Sequence, residues 1–359
     1  MGNKLNVALI GCGWIGEGKH VPAVCSQPDL RMAALCDIDP GKAESLKVKF
    51  GLEDAKIYTD YKEMLRDPGI DIVQVATPNP LHCEMTVAAL EAGKHVLCEK
   101  PMATTKADCE KMIAAARKAN RKLTVGYQWR YRPEALYVKQ ACDDGVLGDI
   151  YYAKAHATRY RGVPAWGEYL SGKNGGGVFI DGVPHSLDLT LWAMGNYEPK
   201  SVKANLYDRM KDHGEGNIWG SWTDDEFRVE DSGFAVVTMK NGATIYIEAA
   251  WIINLLSDDM KTTLCGTKGG LDMFGGPQKV RLNGVSHGKS FVNVVDLSDI
   301  LAPGASRSTP PEEAEIRHFA DCIVHDTEPF IKPEEALVVT QIIEGIYLSA
   351  KSGKEVFFE

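Results

Sequence analysis

Three side chains in this sequence stand where they could move a proton: Lys100, Asp181 and His185. Lys100 closes the apolar run HVLCEK and is followed at once by Pro101. The proline disfavours helical dihedrals at the lysine, so the lysine backbone stays extended at a strand tip. Asp181 and His185 lie four residues apart in IDGVPHSLDLTLW, on one face if a helix starts there. With Asp181 as N-cap, Pro184 falls at the third helical position, where a missing N–H costs no intrahelical bond. The proline also removes one amide that an N-cap carboxylate binds, which leaves Asp181 an oxygen for another partner. His185 would then lie in the positive first turn, which disfavours imidazolium and suits a general base near pH 7. Asp188, three residues on, is placed to orient the ring. From these residues alone, a capped helix with a core histidine and a surface Glu99–Lys100 pair remain open as alternatives.

The elements that position these groups differ between the two halves of the chain. Over 5–128 the apolar runs LNVALIG, RMAALCD, DIVQVAT, HVLCEK and KLTVGY alternate with helical patterns near 15–27, 40–50, 60–66, 80–92 and 105–119. Runs rich in Val, Ile, Leu and Ala fit strands covered on both faces, and the alternation implies a parallel sheet between helices. Thr105 and Asp108 have the spacing of a capping box.

At the end of the first strand stands GCGWIG, with Gly11, Gly13 and Gly16, and Trp14 and Ile15 in the same turn. It opens a helix, and an acid, Asp37, ends the second strand about twenty residues further on. Gly11 permits the tight turn, Gly13 lets the backbone approach a pyrophosphate, and Gly16 lets helix and strand pack closely. This is a dinucleotide fingerprint. Asp37 can accept from ribose hydroxyls and would repel a 2′-phosphate, while Ile38 offers that phosphate no donor; both point to NAD over NADP. Ligands of such sheets sit beyond the carboxyl ends of the strands, where VATPNPLH and CEKPM also lie.

From about 129 the rhythm changes. A helix is expected over 133–144, and amphipathic helices over 312–325 and 334–352. Between them FAVVTMKNGATIYIEAAW reads as a hairpin with a two-residue turn at Asn241-Gly242. Long strands with few helices suggest a mostly antiparallel sheet whose open face a second subunit would cover. Residues 208–230 read as a long loop, either over the site or a solvated insertion.

Whole-chain properties narrow the class. The 359 residues suggest two domains, 1–128 and 129–359, in an α/β protein. Net charge is −9, from 40 Lys and Arg against 49 Asp and Glu, which disfavours nucleic acid as a partner. No apolar stretch spans a membrane and no signal peptide precedes the first strand. The nine cysteines are scattered without a C-x-x-C pair, as reduced thiols of a cytoplasmic protein would be, and no Cys/His cluster suggests a metal.

Taken in order, GCGWIG, TPNPLH, CEKP, GYQWRYRP and GGGVFIDGVPHSLD resemble the Gfo/Idh/MocA oxidoreductases, which include glucose–fructose oxidoreductase and inositol dehydrogenases. The resemblance covers nearly the whole chain and is least clear over 208–230 and 285–310. It implies an N-terminal Rossmann domain, a C-terminal α/β domain with a large open sheet, NAD(P), and a sugar, glycoside or polyol substrate. It makes Lys100 the catalytic lysine, His185 the acid/base that binds substrate, and Asp181 its motif partner. Thr77, Asn79, His82, Glu99 and Gln128 would line the cofactor site. Many members have a cis Lys–Pro bond here, and dimers or tetramers are expected. Gln128 stands where Asn is common, and Gly167 follows Trp166 where Trp-Arg is usual. Some of Tyr160, Trp166 and Arg159 or Arg161, just upstream, are expected to contact substrate, and Trp166 fits a core position equally well. Two other readings stay open: a non-catalytic NAD-binding sensor or regulator, and a reductase of a diol or unsaturated ring.

Overall fold

The computed structural model describes residues 4–223, 225–255, 260–274, 280–302, 305–306 and 309–358. Asp224, within the expected 208–230 loop, lies outside them.

The first sheet has six strands: β1 (Leu5–Ile10), β2 (Leu30–Cys36), β3 (Lys56–Tyr58), β4 (Ile72–Val75), β5 (His95–Cys98) and β6 (Leu123–Val125). Their order is β3-β2-β1-β4-β5-β6, and every pair is parallel. That is the doubly wound dinucleotide-binding order, with its switch point between β1 and β4. The connecting helices are α1 (Val21–Cys25), α2 (Pro40–Lys49), α3 (Tyr61–Leu65), α4 (His82–Glu91) and α5 (Lys106–Ala119). All four residues of β4 are buried, as a strand covered on both faces requires. Thr105 caps α5 by accepting from the Asp108 N–H at 3.2 Å, as the spacing predicts.

The second sheet has nine strands: β7 (Ile150–Thr158), β8 (Pro199–Tyr207), β9 (Ser232–Met239), β10 (Thr244–Ala250), β11 (Met260–Gly266), β12 (Gly269–Phe274), β13 (Val280–Ser286), β14 (Lys289–Val294) and β15 (Val356–Phe357). It is antiparallel except for β7 with β10. Its helices are α6 (Pro133–Asp143), α7 (Val178–Asp181) and α8 (Val183–Met194); α9 (Pro311–Val324) and α10 (Pro333–Ser352) lie between β14 and β15 in the chain. α8 packs on β7 and β11, where Ala153, Ala155 and Leu264 are buried. The alternate residues form the other face, which is part-exposed at Tyr152, Lys154, Phe234, Val236 and Tyr246. The turn from β9 to β10 differs from the expected one. Met239 O accepts from the Gly242 N–H at 2.9 Å and Ala243 O from the Met239 N–H at 2.8 Å, which makes a three-residue loop. Gly242 has φ +89° and Asn241 is not in the positive-φ region, so the turn lacks the second such residue that a two-residue type I′ turn needs.

Two compact units result: Met1–Tyr131 with Leu301–Leu337, and Arg132–Ile300 with Val338–Glu359. The sequence alone suggests one unit over 129–359, whereas Leu301–Leu337 groups with the first unit. The reason for the difference is a long-range core. Ile316, Phe319 and Ala320 of α9 are buried among Val7, Leu9, Val21 and Leu35 of the first unit. Ion pairs Lys19–Glu312 (3.2 Å) and Arg317–Asp29 (2.6 Å) flank that packing.

Candidate active site

In the first unit the expected cofactor residues follow the carboxyl ends of β1, β2, β4, β5 and β6. Gly11 has φ +98°, and a Cβ there would meet Ala76 O at 2.4 Å, so the turn requires glycine. A Cβ at Gly16 would meet Gly11 O at 2.7 Å, which accounts for the close packing of helix on turn. Gly13 is different: nothing lies within 4 Å of a Cβ built there, and the residue is exposed. The main chain therefore faces open space where a pyrophosphate can approach it. Asp37 is half-buried; its Oδ2 accepts from the Cys12 N–H and its Oδ1 from the Asp39 N–H, both at 2.9 Å. Beside it Trp14 is 65% exposed and Ile38 92% exposed, both open to a ligand. Asp39 turns away to cap α2, accepting from the Gly41 N–H at 2.9 Å. This cradle and carboxylate fit an adenine dinucleotide.

The ends of β4 and β5 are tied together by His82. The ring is buried, with Nδ1 2.8 Å from Pro101 O and Nε2 2.9 Å from Thr77 O. Burial holds its proton affinity down against these two carbonyls, and a neutral ring can donate to one of them at a time. His82 thus shapes the loop bearing Thr77 and Asn79 rather than presenting a free face. The Lys100–Pro101 bond is cis. Glu99 is buried; its Oε1 lies 3.0 Å from His20 Nε2 and its Oε2 accepts from the Lys100 N–H at 3.1 Å. Burial raises the carboxyl, but the His20 hydrogen bond and the charges of His20, Lys100 and Lys19 overcome it and hold the group at about 2. A Cβ at Gly126 would sit 3.2 Å from that carboxylate, so glycine makes the room. Gln128 is buried; its amide nitrogen donates to Gly126 O at 2.7 Å and its oxygen accepts from Lys19 Nζ at 2.8 Å. Sequence reasoning missed His20, Lys19 and Gly126, because no local motif marks them.

In the second unit Asp181 does not cap a helix. The helical path begins at Val178 with Gly177 as N-cap; Asp181 ends α7 and Gly182, still helical at φ −86° and ψ −44°, leads into α8. Pro184 is an early residue of α8, where its lack of an N–H is tolerated, and it interrupts the hydrogen-bond ladder between the two turns. The cap comes instead from Glu230. Its Oε1 accepts from the Gly177 and Phe179 N–H groups at 3.0 Å and from the Tyr347 hydroxyl at 2.7 Å. Burial pushes the Glu230 carboxyl up, against the lowering by these donors. The GGG segment gains a physical reason here. A Cβ at Gly176 would fall 2.0 Å from the Tyr347 oxygen, and one at Gly177 would fall 2.1 Å from Glu230 O. Because the path starts about two turns before His185, the helix terminus acts less on the imidazole than the sequence suggested.

Relieved of capping, Asp181 Oδ2 accepts from Trp251 Nε1 at 3.0 Å and lies 3.5 Å from Arg159 Nη1. Asp188 is buried in α8, three residues past His185. Around this carboxylate runs a series of rings: Trp251–Tyr169 (6.4 Å between centroids), Tyr169–Trp166 (6.2 Å) and Trp166–Trp219 (5.8 Å). It closes through Arg159, whose guanidinium lies 4.7 Å over the Trp219 ring. Tyr160 and Trp166, both expected to meet substrate, are 52% and 43% exposed. A carboxyl group held by an indole and a guanidinium, four residues before an imidazole, can orient a hydroxyl and serve its proton transfer.

Residues 5–127 match the family model described as oxidoreductase family, NAD-binding Rossmann fold, and residues 135–272 match the model described as GFO/IDH/MocA C-terminal domain. D-glucoside 3-dehydrogenase of Escherichia coli (strain K12) is 30% identical over 356 residues, 99% of this chain and 97% of that one. The scyllo-inositol 2-dehydrogenase (NAD(+)) of Bacillus subtilis (strain 168) is 26% identical over 357 residues, again 99% and 97%. Among solved structures, the aldose-aldose oxidoreductase from Caulobacter crescentus complexed with glycerol aligns with a TM-score of 0.81 at 28% identity, covering 99% of this chain and all of that one.

Proposed function

We propose that this chain, which belongs to the Gfo/Idh/MocA family of oxidoreductases, transfers a hydride between NAD and a secondary hydroxyl or ketone of a sugar, glycoside or polyol. The observation that carries the reading is one chain holding the open Gly13 turn beside Asp37, Lys100 at the end of β5, and Asp181 with His185 across the α7–α8 junction. Relatives of near-equal length named for a glucoside and an inositol support a ring hydroxyl as the reacting group.

When bound, the nicotinamide takes or returns the hydride. The residues do the rest. Lys100 donates a charge-assisted hydrogen bond to the reacting oxygen. In oxidation, the C–H electron pair leaves as hydride and the hydroxyl proton passes to the His185 imidazole, leaving a carbonyl. Proton transfer of this kind contributes ~10²–10⁴-fold. Asp181, fixed by Trp251 and Arg159, orients the substrate. Steady-state assay with NAD against a panel of polyols, free sugars and glycosides tests the reading; no transfer with any of them would overturn it. The oxidation rate is expected to fall at acid pH as the imidazole protonates, and His185→Ala is expected to lower kcat/KM. A rate flat from pH 6 to 9, with chemistry shown to be rate-limiting by a deuterium isotope effect, would remove the titrating base.

NAD is the expected cofactor in preference to NADP. A 2′-phosphate would bring ~1.5–2 negative charges against Asp37, and even ~2.7 kcal/mol of repulsion gives about 100-fold discrimination. Exposed Ile38 supplies no donor, and Asp39 faces its own helix. Asp37→Ser with Ile38→Arg is expected to narrow or reverse the preference in kcat/KM. A wild-type protein that uses both cofactors equally would refute this role of Asp37.

We also read the part-exposed face of the nine-stranded sheet, with Val236, Val292 and Val294 exposed, as the seat of a dimer or tetramer. The nine thiols, none of them paired, support a cytoplasmic location. Light scattering and cell fractionation test these two points.

A further inference from the structure

We infer that Tyr160, Ile218 and Trp219 form a subsite for a ring joined to the reacting sugar through its glycosidic oxygen, so that ring-bearing glycosides are preferred over free sugars. The inference rests on the hydride-transfer reading above and names its substrate class.

The first support is a groove of about 470 Å³ lined by residues 159–162 together with Gly216, Ile218 and Trp219. Its apolar walls are open to solvent: Tyr160 is 52% exposed, Ile218 73% and Trp219 38%. The rings are also held in place. Asn217 clamps Val163, accepting from its N–H at 2.8 Å and donating to its carbonyl at 3.0 Å. The Ile218 N–H donates to Arg161 O at 3.3 Å and the Ala165 N–H to Trp219 O at 3.2 Å. Gly216 and Gly220, at φ +76° and +93°, permit the turns that lay Trp219 down. The loop expected either to cover the site or to float in solvent is thus fastened along residues 161–165.

The second support is charge. Both guanidiniums in the groove are already engaged. Arg161 donates to Tyr160 O at 2.8 Å and Asn254 Oδ1 at 2.7 Å, and stacks 4.4 Å over the Tyr160 ring. Arg159 donates to Gly162 O at 3.2 Å, pairs with Asp181 and stacks on Trp219. What they present to the groove is flat surface rather than a demand for an anion, so the occupant is a neutral ring. Sugar C–H faces and aryl faces both stack on Trp and Tyr. The third support is position: a single guanidinium separates Trp219 from the Asp181 carboxylate. A group attached to a sugar whose hydroxyl lies at Asp181 is therefore directed toward Trp219.

The test is kcat/KM with NAD for glucose, methyl glucoside, phenyl glucoside and cellobiose. The two ring-bearing glycosides are expected to exceed methyl glucoside by about tenfold or more, the scale of one good stacking contact. Trp219→Ala is expected to collapse that ratio, and Trp219→Phe to retain most of it. Far-UV circular dichroism and a thermal unfolding profile unchanged from wild type show that each variant is folded. Equal values for all four substrates, or a ring preference that survives Trp219→Ala, overturn the subsite and leave hydride transfer standing. Absence of turnover with every sugar, glycoside and polyol overturns the underlying reading.

Discussion

Replacing Lys100 with methionine is expected to lower kcat by ~10²-fold or more while NAD binding stays within about tenfold. Methionine keeps an unbranched apolar stem and removes only the ammonium. The lysine main chain is held apart from that ammonium, because its N–H donates to Glu99 Oε2 at 3.1 Å. The turn should therefore survive the change. Glu99 keeps its His20 partner without the lysine charge, so the dinucleotide cradle should be largely retained. Titration of NADH fluorescence and turnover measured on one preparation decide the matter. Turnover near that of the wild type would exclude Lys100 from the chemistry, and loss of NADH binding would recast it as a cofactor-binding residue.

Glu230→Ala is expected to destabilise the second unit by about 2–3 kcal/mol, since it strands donors that the fold has partly shielded from water. Those donors are the Gly177 and Phe179 N–H groups and the Tyr347 hydroxyl. Glu230→Gln, which mimics the protonated acid, is expected to cost less than about 1 kcal/mol. The pH dependence has a definite sign. Burial raises the folded carboxyl above its ordinary range, so the fold binds this proton more tightly than the unfolded chain does. Its contribution is greatest below the unfolded value and declines as pH rises through the raised folded one. The stability of the Gln variant relative to wild type should accordingly improve as pH rises above about 4.5. Unfolding midpoints across pH 4–8 check both claims; an Ala variant with an unshifted midpoint would remove Glu230 from the support of α7.

The sequence carried the first unit well because its signals are local. Fully buried strands read as unbroken Val, Ile and Leu runs, and the glycines of the β1 turn stand at fixed spacing. Glycine spacing also makes Gly11 legible as a turn position and Gly16 as a packing position, which the Ala76 and Gly11 carbonyls account for. What stayed hidden was long-range. Nothing near α9 states that Phe319 packs beside Leu9. The cap of α7 comes from an acid some fifty residues away, so Asp181, the nearest acidic residue, was read as the cap. The same distance hid the indole of Trp251 against Asp181. His82 was readable as part of the β4 loop, but two backbone carbonyls, one of them after β5, give it a tie rather than an open face.

The two backbone amides on Asp37 carry a consequence for how cofactor choice can drift. The carboxylate proposed to meet the ribose also fastens Cys12 of the glycine turn and Asp39 before α2. Recognition and scaffolding share one side chain, so a lineage cannot trade this acid away without loosening the turn that every dinucleotide needs. A lone change at Asp37 should be a fitness valley, poor with both nucleotides, and a switch must include a substitute acceptor for the Cys12 amide. Ile38, which bears no such duty, is the permissive position at which an evolutionary path toward the phosphorylated cofactor would begin.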